Sequence, residues 1–263
     1  MGNYSSKGVN VDTFTLRDSV INGQSGNTAA AENESAVFFT NLNGVGLFEG
    51  NNIAGGFTDN MRIQNNENGQ TLNLFVRDSA NDQAIFGTNN TGNEGNDSLN
   101  VQVSGDGNVR MLVDGVQFTA WRGDGIQASA FDTANLDVTI QNSTFFNTHT
   151  NIASAGGIGV LVGGTAAGGT WGVDYTIDNN QFTGSKGVAL AASFNGWGGT
   201  ARGYIHNNTV GTNAGGTFDG SGSSEAGGIF ASVERTPGGV GSLTQYVTIS
   251  NNTVRDTKQT GIF

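Results

Sequence analysis

Ile177-Asp-Asn-Asn-Gln-Phe182 is the stretch on which the rest of the chain can be aligned. Close copies are Ile140-Gln-Asn-Ser-Thr-Phe145, Ile205-His-Asn-Asn-Thr-Val210 and Ile249-Ser-Asn-Asn-Thr-Val254. Each opens on an apolar residue that closes a strand of period two, as in Val138-Thr-Ile140, Tyr175-Thr-Ile177 and Val247-Thr-Ile249. Looser copies start at Leu16, Phe48, Val76 and Val113, and in the copy from Val76 the second apolar place falls on Asn81. The eight anchors are 27 to 44 residues apart. A fixed strand motif with a drifting period predicts a solenoid whose turns carry insertions of different length.

Composition narrows the class. Forty-three Gly against one Pro, with no triplet period, excludes collagen. The 35% hydrophobic content arrives in alternating runs, which excludes a disordered chain. The absence of Cys removes disulfides and thiolate metal sites. A net charge of −11, with basic residues scattered singly, argues against a nucleic-acid partner. No apolar run is long enough for a membrane helix. The opening Met1-Gly2 without an apolar signal region, and the close at Gly261-Ile262-Phe263, predict an excerpt of a longer protein.

A second element recurs after each anchor as Gly-Ile/Val-x-small or apolar. It is seen in Gly125-Ile-Gln-Ala128, Gly157-Ile-Gly-Val160, Gly187-Val-Ala-Leu190 and Gly228-Ile-Phe-Ala231. Its earlier counterparts are placed at Ala36-Val-Phe38, Met61-Arg-Ile63 and Ala84-Ile-Phe86, and Leu99-Asn-Val-Gln-Val103 is read as a third, less regular strand. Three short strands per turn, each stacked in parallel on its copy in the next turn, predict one all-β domain over residues 1–263 with about eight turns and variable loops.

Two places after the anchors stand Asp18, Gly50, Asp78, Gly115, Asn142, Asn179, Asn207 and Asn251. All are residue types that tolerate a left-handed backbone, so a structural turn ladder is expected there rather than a row of ligands. His149 and His206 fall in different registers and have no partner at metal spacing. Loop carboxylates are Asp97, Asp106, Asp124, Asp132, Asp219 and Glu225. Among them Asp219-Gly-Ser-Gly-Ser-Ser-Glu225 alternates oxygen side chains as a calcium loop would, a pattern that also arises by chance. Arg122-Gly-Asp124 would contact a receptor only from an exposed tip. Trp121, Trp171, Phe194 and Trp197 stand beside Gly-rich segments and are the expected exposed aromatics for stacking on sugar rings or a partner.

The strand-Asn-Asn-x-Phe motif followed by Gly-Ile-x-Val resembles the repeats of right-handed, single-stranded parallel β-helix proteins. The Asp18-Ser19 and Asp78-Ser79 turns and the segment Trp121-Arg-Gly-Asp124 resemble those of bacterial surface proteins of the adhesin and autotransporter-passenger kind. The resemblance implies an extracellular or cell-surface location and a non-catalytic spacer whose loops contact carbohydrate or another surface protein. The same helix also carries pectin-degrading enzymes, so a polysaccharide lyase or hydrolase is the second expectation. Polygalacturonase-like paired Asp and Gly-His-Gly are absent, and Arg77 with Asp78 and Arg110 with Asp114 are the nearest approach to a lyase centre. End-to-end self-association through unpaired coil ends is the third.

Overall fold

The computed structural model describes residues 6–23, 34–88, 90, 92–154, 156–166, 169–212, 216–224, 226–237 and 241–263. Its strands fall into eight coils in chain order. The first holds β1 (Ser6–Arg17) and β2 (Val20–Ile21), the second β3 (Val37–Glu49) and β4 (Asn52–Ile53). The third holds β5 (Asp59–Asn65), β6 (Thr71–Arg77) and β7 (Ile85–Phe86). The fourth holds β8 (Asp97–Val103), β9 (Asn108–Asp114) and β10 (Gln117–Phe118). The fifth holds β11 (Asp124–Phe131), β12 (Asn135–Gln141) and β13 (Thr144–Phe146). The sixth holds β14 (Ile158–Ala166), β15 (Trp171–Asp178) and β16 (Gln181–Thr183). The seventh holds β17 (Leu190–Gly196), β18 (Gly199–His206) and β19 (Thr209–Val210). The eighth holds β20 (Ile229–Arg235), β21 (Leu243–Ser250) and β22 (Thr253–Val254).

Every strand pairs in parallel with its equivalent one coil away, so the chain is an all-β parallel β-helix. One 14-stranded sheet covers two faces because β3 serves both. Its first half pairs β5, and after the left-handed Asn41 and Gly44 its second half pairs β6. The third face is the 8-stranded sheet of the short strands. No helix among the described residues is long and apolar enough to cross a membrane.

All eight anchors lie in one unbroken inward column: Leu16, Phe48, Val76, Val113, Ile140, Ile177, Ile205 and Ile249 pair in turn. The third face carries Ile21, Ile53, Phe86, Phe118, Phe145, Phe182, Val210 and Val254 in register. Its rings stack, Phe118 on Phe145 at 4.7 Å between centroids and Phe145 on Phe182 at 4.6 Å. Aromatic stacking of this kind adds about 1 kcal/mol per pair to the apolar burial.

Three expectations are corrected. The second apolar residue of the third coil is Phe86, not Asn81, because a loop around Asp82 is inserted at the corner. Ile85–Phe86 therefore belongs to the third face, while Leu99-Asn-Val-Gln-Val103 is an ordinary first-face strand that pairs with β5 and β11. The Gly-Ile-x-Val copies at Gly157 and Gly187 are two residues out of register. Ile126 pairs with Val160, Val160 with Leu190, and Leu190 with Ile229. A slip of two keeps every side chain on its face, so period-two patterning cannot detect it.

Candidate functional site

The corner after each anchor is built by two successive residues with different tasks. The first takes the left-handed conformation at Asp18, Gly50, Gly115, Asn142, Asn179, Asn207 and Asn251, with φ between 47° and 75°. Asp78 stands outside this set, and its carboxylate instead accepts the Ala84 N–H at 2.7 Å across the inserted loop. The outer side chains link coils, Asn179 Nδ2 donating to Asn142 Oδ1 and Asn142 Nδ2 to Asp114 Oδ1, each at 2.8 Å. The second residue forms a buried ladder. Asn180 Oδ1 accepts the Ser143 N–H at 2.9 Å, Asn208 Oδ1 accepts the Asn180 N–H at 3.0 Å, and Asn252 Oδ1 accepts the Asn208 N–H at 2.9 Å. Each Asn Nδ2 also donates to the anchor carbonyl of the preceding coil, as Asn180 does to Ile140 at 2.9 Å. Buried backbone groups at the bend are thereby satisfied without a continuous strand.

Burial corrects the aromatic expectation. Trp121, Trp171 and Phe194 are fully buried and offer no face to a ligand. Trp171 stacks on Phe194 at 5.2 Å, and Trp121 meets the Phe145 edge at 6.3 Å. The glycines near Trp171 explain the misreading: a Cβ at Gly164 would sit 2.9 Å from the indole, and one at Gly199 closer still. These glycines make room for a ring rather than marking a loop. Trp197 is half-buried in the bend between β17 and β18.

Arg122-Gly-Asp124 is not a loop tip, since Asp124 is buried. It ends a row of buried acids on the first face. Asp59 Oδ1 accepts the Asp97 N–H at 3.1 Å, and Asp97 Oδ1 accepts the Asp124 N–H at 2.8 Å. Burial raises all three carboxyls: Asp59 to about 6, against the opposing pull of Arg62; Asp124 to about 7, aided by the charge of Asp59; and Asp97 well above the carboxylate range. These groups tie coil to coil.

Asp219, His149 and His206 are also bonded into the structure. Asp219 accepts the Thr212 hydroxyl at 2.6 Å and its N–H at 3.1 Å, and Glu225 lies outside the described residues. No group of three His, Asp or Glu side chains suited to a metal ion occurs among the described residues. His149 is buried, its pKa lowered by burial. Its Nδ1 accepts the Asn151 N–H at 3.1 Å and its Nε2 meets Glu94 O at 3.2 Å, so it clips two loops together. His206 pairs with Asp178 at 3.1 Å on the outer surface.

The chemistry that faces water lies instead on the second face, over its strands β6, β9, β12, β15, β18 and β21. A shallow groove of about 570 Å³ crosses it from Thr71 and Asn73 on β6 to Arg202 on β18. A second of about 520 Å³ continues from Arg202 to Tyr246 on β21. Outward residues form columns with one side chain per strand. Asn73, Arg110, Asp137, Asp174, Arg202 and Tyr246 stand in register. Beside them Thr71, Asn108, Asn135, Gly172, Thr200 and Thr244 make a second column, polar at every step except Gly172.

Within the groove Arg110 Nε pairs with Asp137 Oδ2 at 3.2 Å. The next pair along, Asp174 and Arg202, stands in register on adjacent strands without closing an ion pair, and both are exposed. Arg202 lies over the Tyr246 ring at 5.8 Å. Tyr204 and Tyr246 are 58% and 61% exposed and bound the same pocket, which makes them the accessible aromatic faces of this surface. Their signal lies in the alternation Arg202-Gly-Tyr204-Ile, where every second side chain faces outward. Buried Gly203 sits between them because Tyr175 fills its place: a Cβ there would fall inside the Tyr175 ring. The Tyr175 hydroxyl accepts from Gln245 Nε2 at 2.9 Å, and burial pushes its pKa up to about 12.

Compared with known proteins, the chain matches no family model, no curated protein and no solved structure.

Proposed function

We propose that this chain is a non-catalytic β-helical module of an extracellular, adhesin-like surface protein, and that its second face holds a glycan. The observation that carries the reading is the open groove with exposed Tyr204 and Tyr246, and with Asp174 and Arg202, which close no ion pair among the described residues. Aromatic faces receive the apolar side of a pyranose ring, while a carboxylate and a guanidinium accept from and donate to its hydroxyls. Contact with sugar therefore falls to the strand face rather than the loops. A glycan-array screen of the purified chain, run beside turnover assays on the bound glycans, tests the reading. Retention of one glycan class without new reducing or unsaturated ends is expected; no retained glycan would sink it.

A second reading, a polysaccharide lyase or hydrolase, draws on Asp137 and Asp174 standing on adjacent strands between Arg110 and Arg202. Two carboxylates flanking a sugar bond are the minimum for glycoside hydrolysis. The Asp137 side chain, however, is 50% exposed and tied to Arg110, without the dry pocket that sets a general acid apart from its partner. Release of product ends in the same assay would favour this reading over binding alone.

A further inference from the structure

The groove on the second face has a period. Its polar column presents one side chain per strand, Asn73, Arg110, Asp137, Asp174, Arg202 and Tyr246, at the strand spacing of roughly 4.8 Å. The flanking column follows the same step with Thr and Asn except at Gly172, and Asn135 Nδ2 donates to Asn108 Oδ1 at 3.1 Å along it. From β6 to β21 the outer strands are about 24 Å apart at that spacing. A ligand lying along the solenoid axis thus meets at least one outward polar side chain at every strand step.

A flat, extended sugar chain linked through equatorial positions advances by nearly one strand spacing per ring, whereas an axially linked chain coils away from a straight groove. The charges select further. In the column two acids, Asp137 and Asp174, stand side by side between two bases, Arg110 and Arg202, so the four charges of the groove sum to zero. A polyanionic chain would be repelled over the carboxylates, while the hydroxyls of a neutral ring satisfy both signs. Resting on the glycan-binding reading above, we infer that the ligand is a neutral, extended, equatorially linked hexose chain aligned with the solenoid axis. It lies one ring to a strand, with its most strongly held ring between Tyr204 and Tyr246.

Calorimetric titration with β-1,4-linked gluco- and manno-oligosaccharides of two to eight rings tests the inference, with α-1,4-linked gluco-oligosaccharides as the coiled control. Affinity of at least one β-linked series should rise about threefold per added ring, to a plateau near six rings, and the α-linked series should stay weak. Asn73→Ala, at the far end of the groove, should weaken six-ring binding about threefold and leave three-ring binding unchanged. Tyr204→Ala should weaken both. A plateau at one or two rings, equal affinity for the coiled series, or loss of three-ring binding in Asn73→Ala would overturn the register while leaving glycan binding intact. Binding of none of the three series would overturn the register and, if the glycan array is also blank, the proposed function with it.

Discussion

At the corner of each coil, adjacent asparagines look alike in sequence and differ in what they do. Asn179 sits at φ 54° with an exposed amide, so glycine can replace it with little conformational penalty. Asn180 is buried, satisfies the Ser143 N–H and donates to the Ile140 carbonyl. Removing its amide orphans buried backbone groups, at about 1–3 kcal/mol for each. Urea unfolding should therefore show Asn179→Gly within about 0.5 kcal/mol of the parent, and Asn180→Gly less stable by about 3 kcal/mol. Equal losses in the two variants would refute the division of labour. Gly203→Ala should destabilise by about 1–3 kcal/mol, because the new methyl must displace the Tyr175 ring. A parent-like unfolding midpoint for that variant would show that the ring yields. The left-handed place was legible from residue types at seven of the eight copies, and it failed at Asp78, where the inserted loop changes the corner. The buried amide ladder was not, because hydrogen bonding between coils depends on which of two neighbouring side chains turns inward.

Among the elements, the first-face strands β5, β8 and β11 carry the row Asp59, Asp97 and Asp124, whose carboxyls burial raises above their ordinary value of 3.8. A carboxyl with a raised folded-state pKa stabilises the fold in its protonated form. That contribution is complete below about 4 and is lost as pH rises through about 6 and 7. Asp256 acts in the opposite sense: the Thr217 hydroxyl and nearby N–H groups hold it down to about 2, so its contribution fades as pH falls from 3.8 toward that value. Thermal melts should therefore rise from pH 8 to pH 5 and fall again below pH 3. Asp97→Asn should flatten the slope between pH 5 and 8; a melting temperature that climbs steadily from pH 5 to pH 8 in the parent would contradict the burial of these acids. Asp97 and Asp124 read as loop residues in the sequence because they lie just outside the alternating apolar run that marks each strand. These acids occupy the first position of their strands, where a buried polar end looks like a turn.

For the whole molecule, strand pairing between coils was legible because apolar columns must be continuous to exclude water, and the eight anchors do form one column. The candidate binding surface was less legible because outward residues obey no such constraint. Arg202, Tyr204 and Tyr246 become neighbours only once the register between β18 and β21 is fixed. The buried tryptophans drew attention for the opposite reason, since Gly-rich surroundings suit a packed ring as well as a loop. Glycan binding by the second face, as proposed, is tested most directly by the Tyr204→Ala/Tyr246→Ala double variant. Both rings project into solvent, so their removal should leave the melting temperature within about 3 °C of the parent. The prediction is that affinity for a glycan retained by the parent falls at least about tenfold, a change of roughly 1.4 kcal/mol. Unchanged affinity in a fully folded double variant would place the ligand elsewhere and contradict the account.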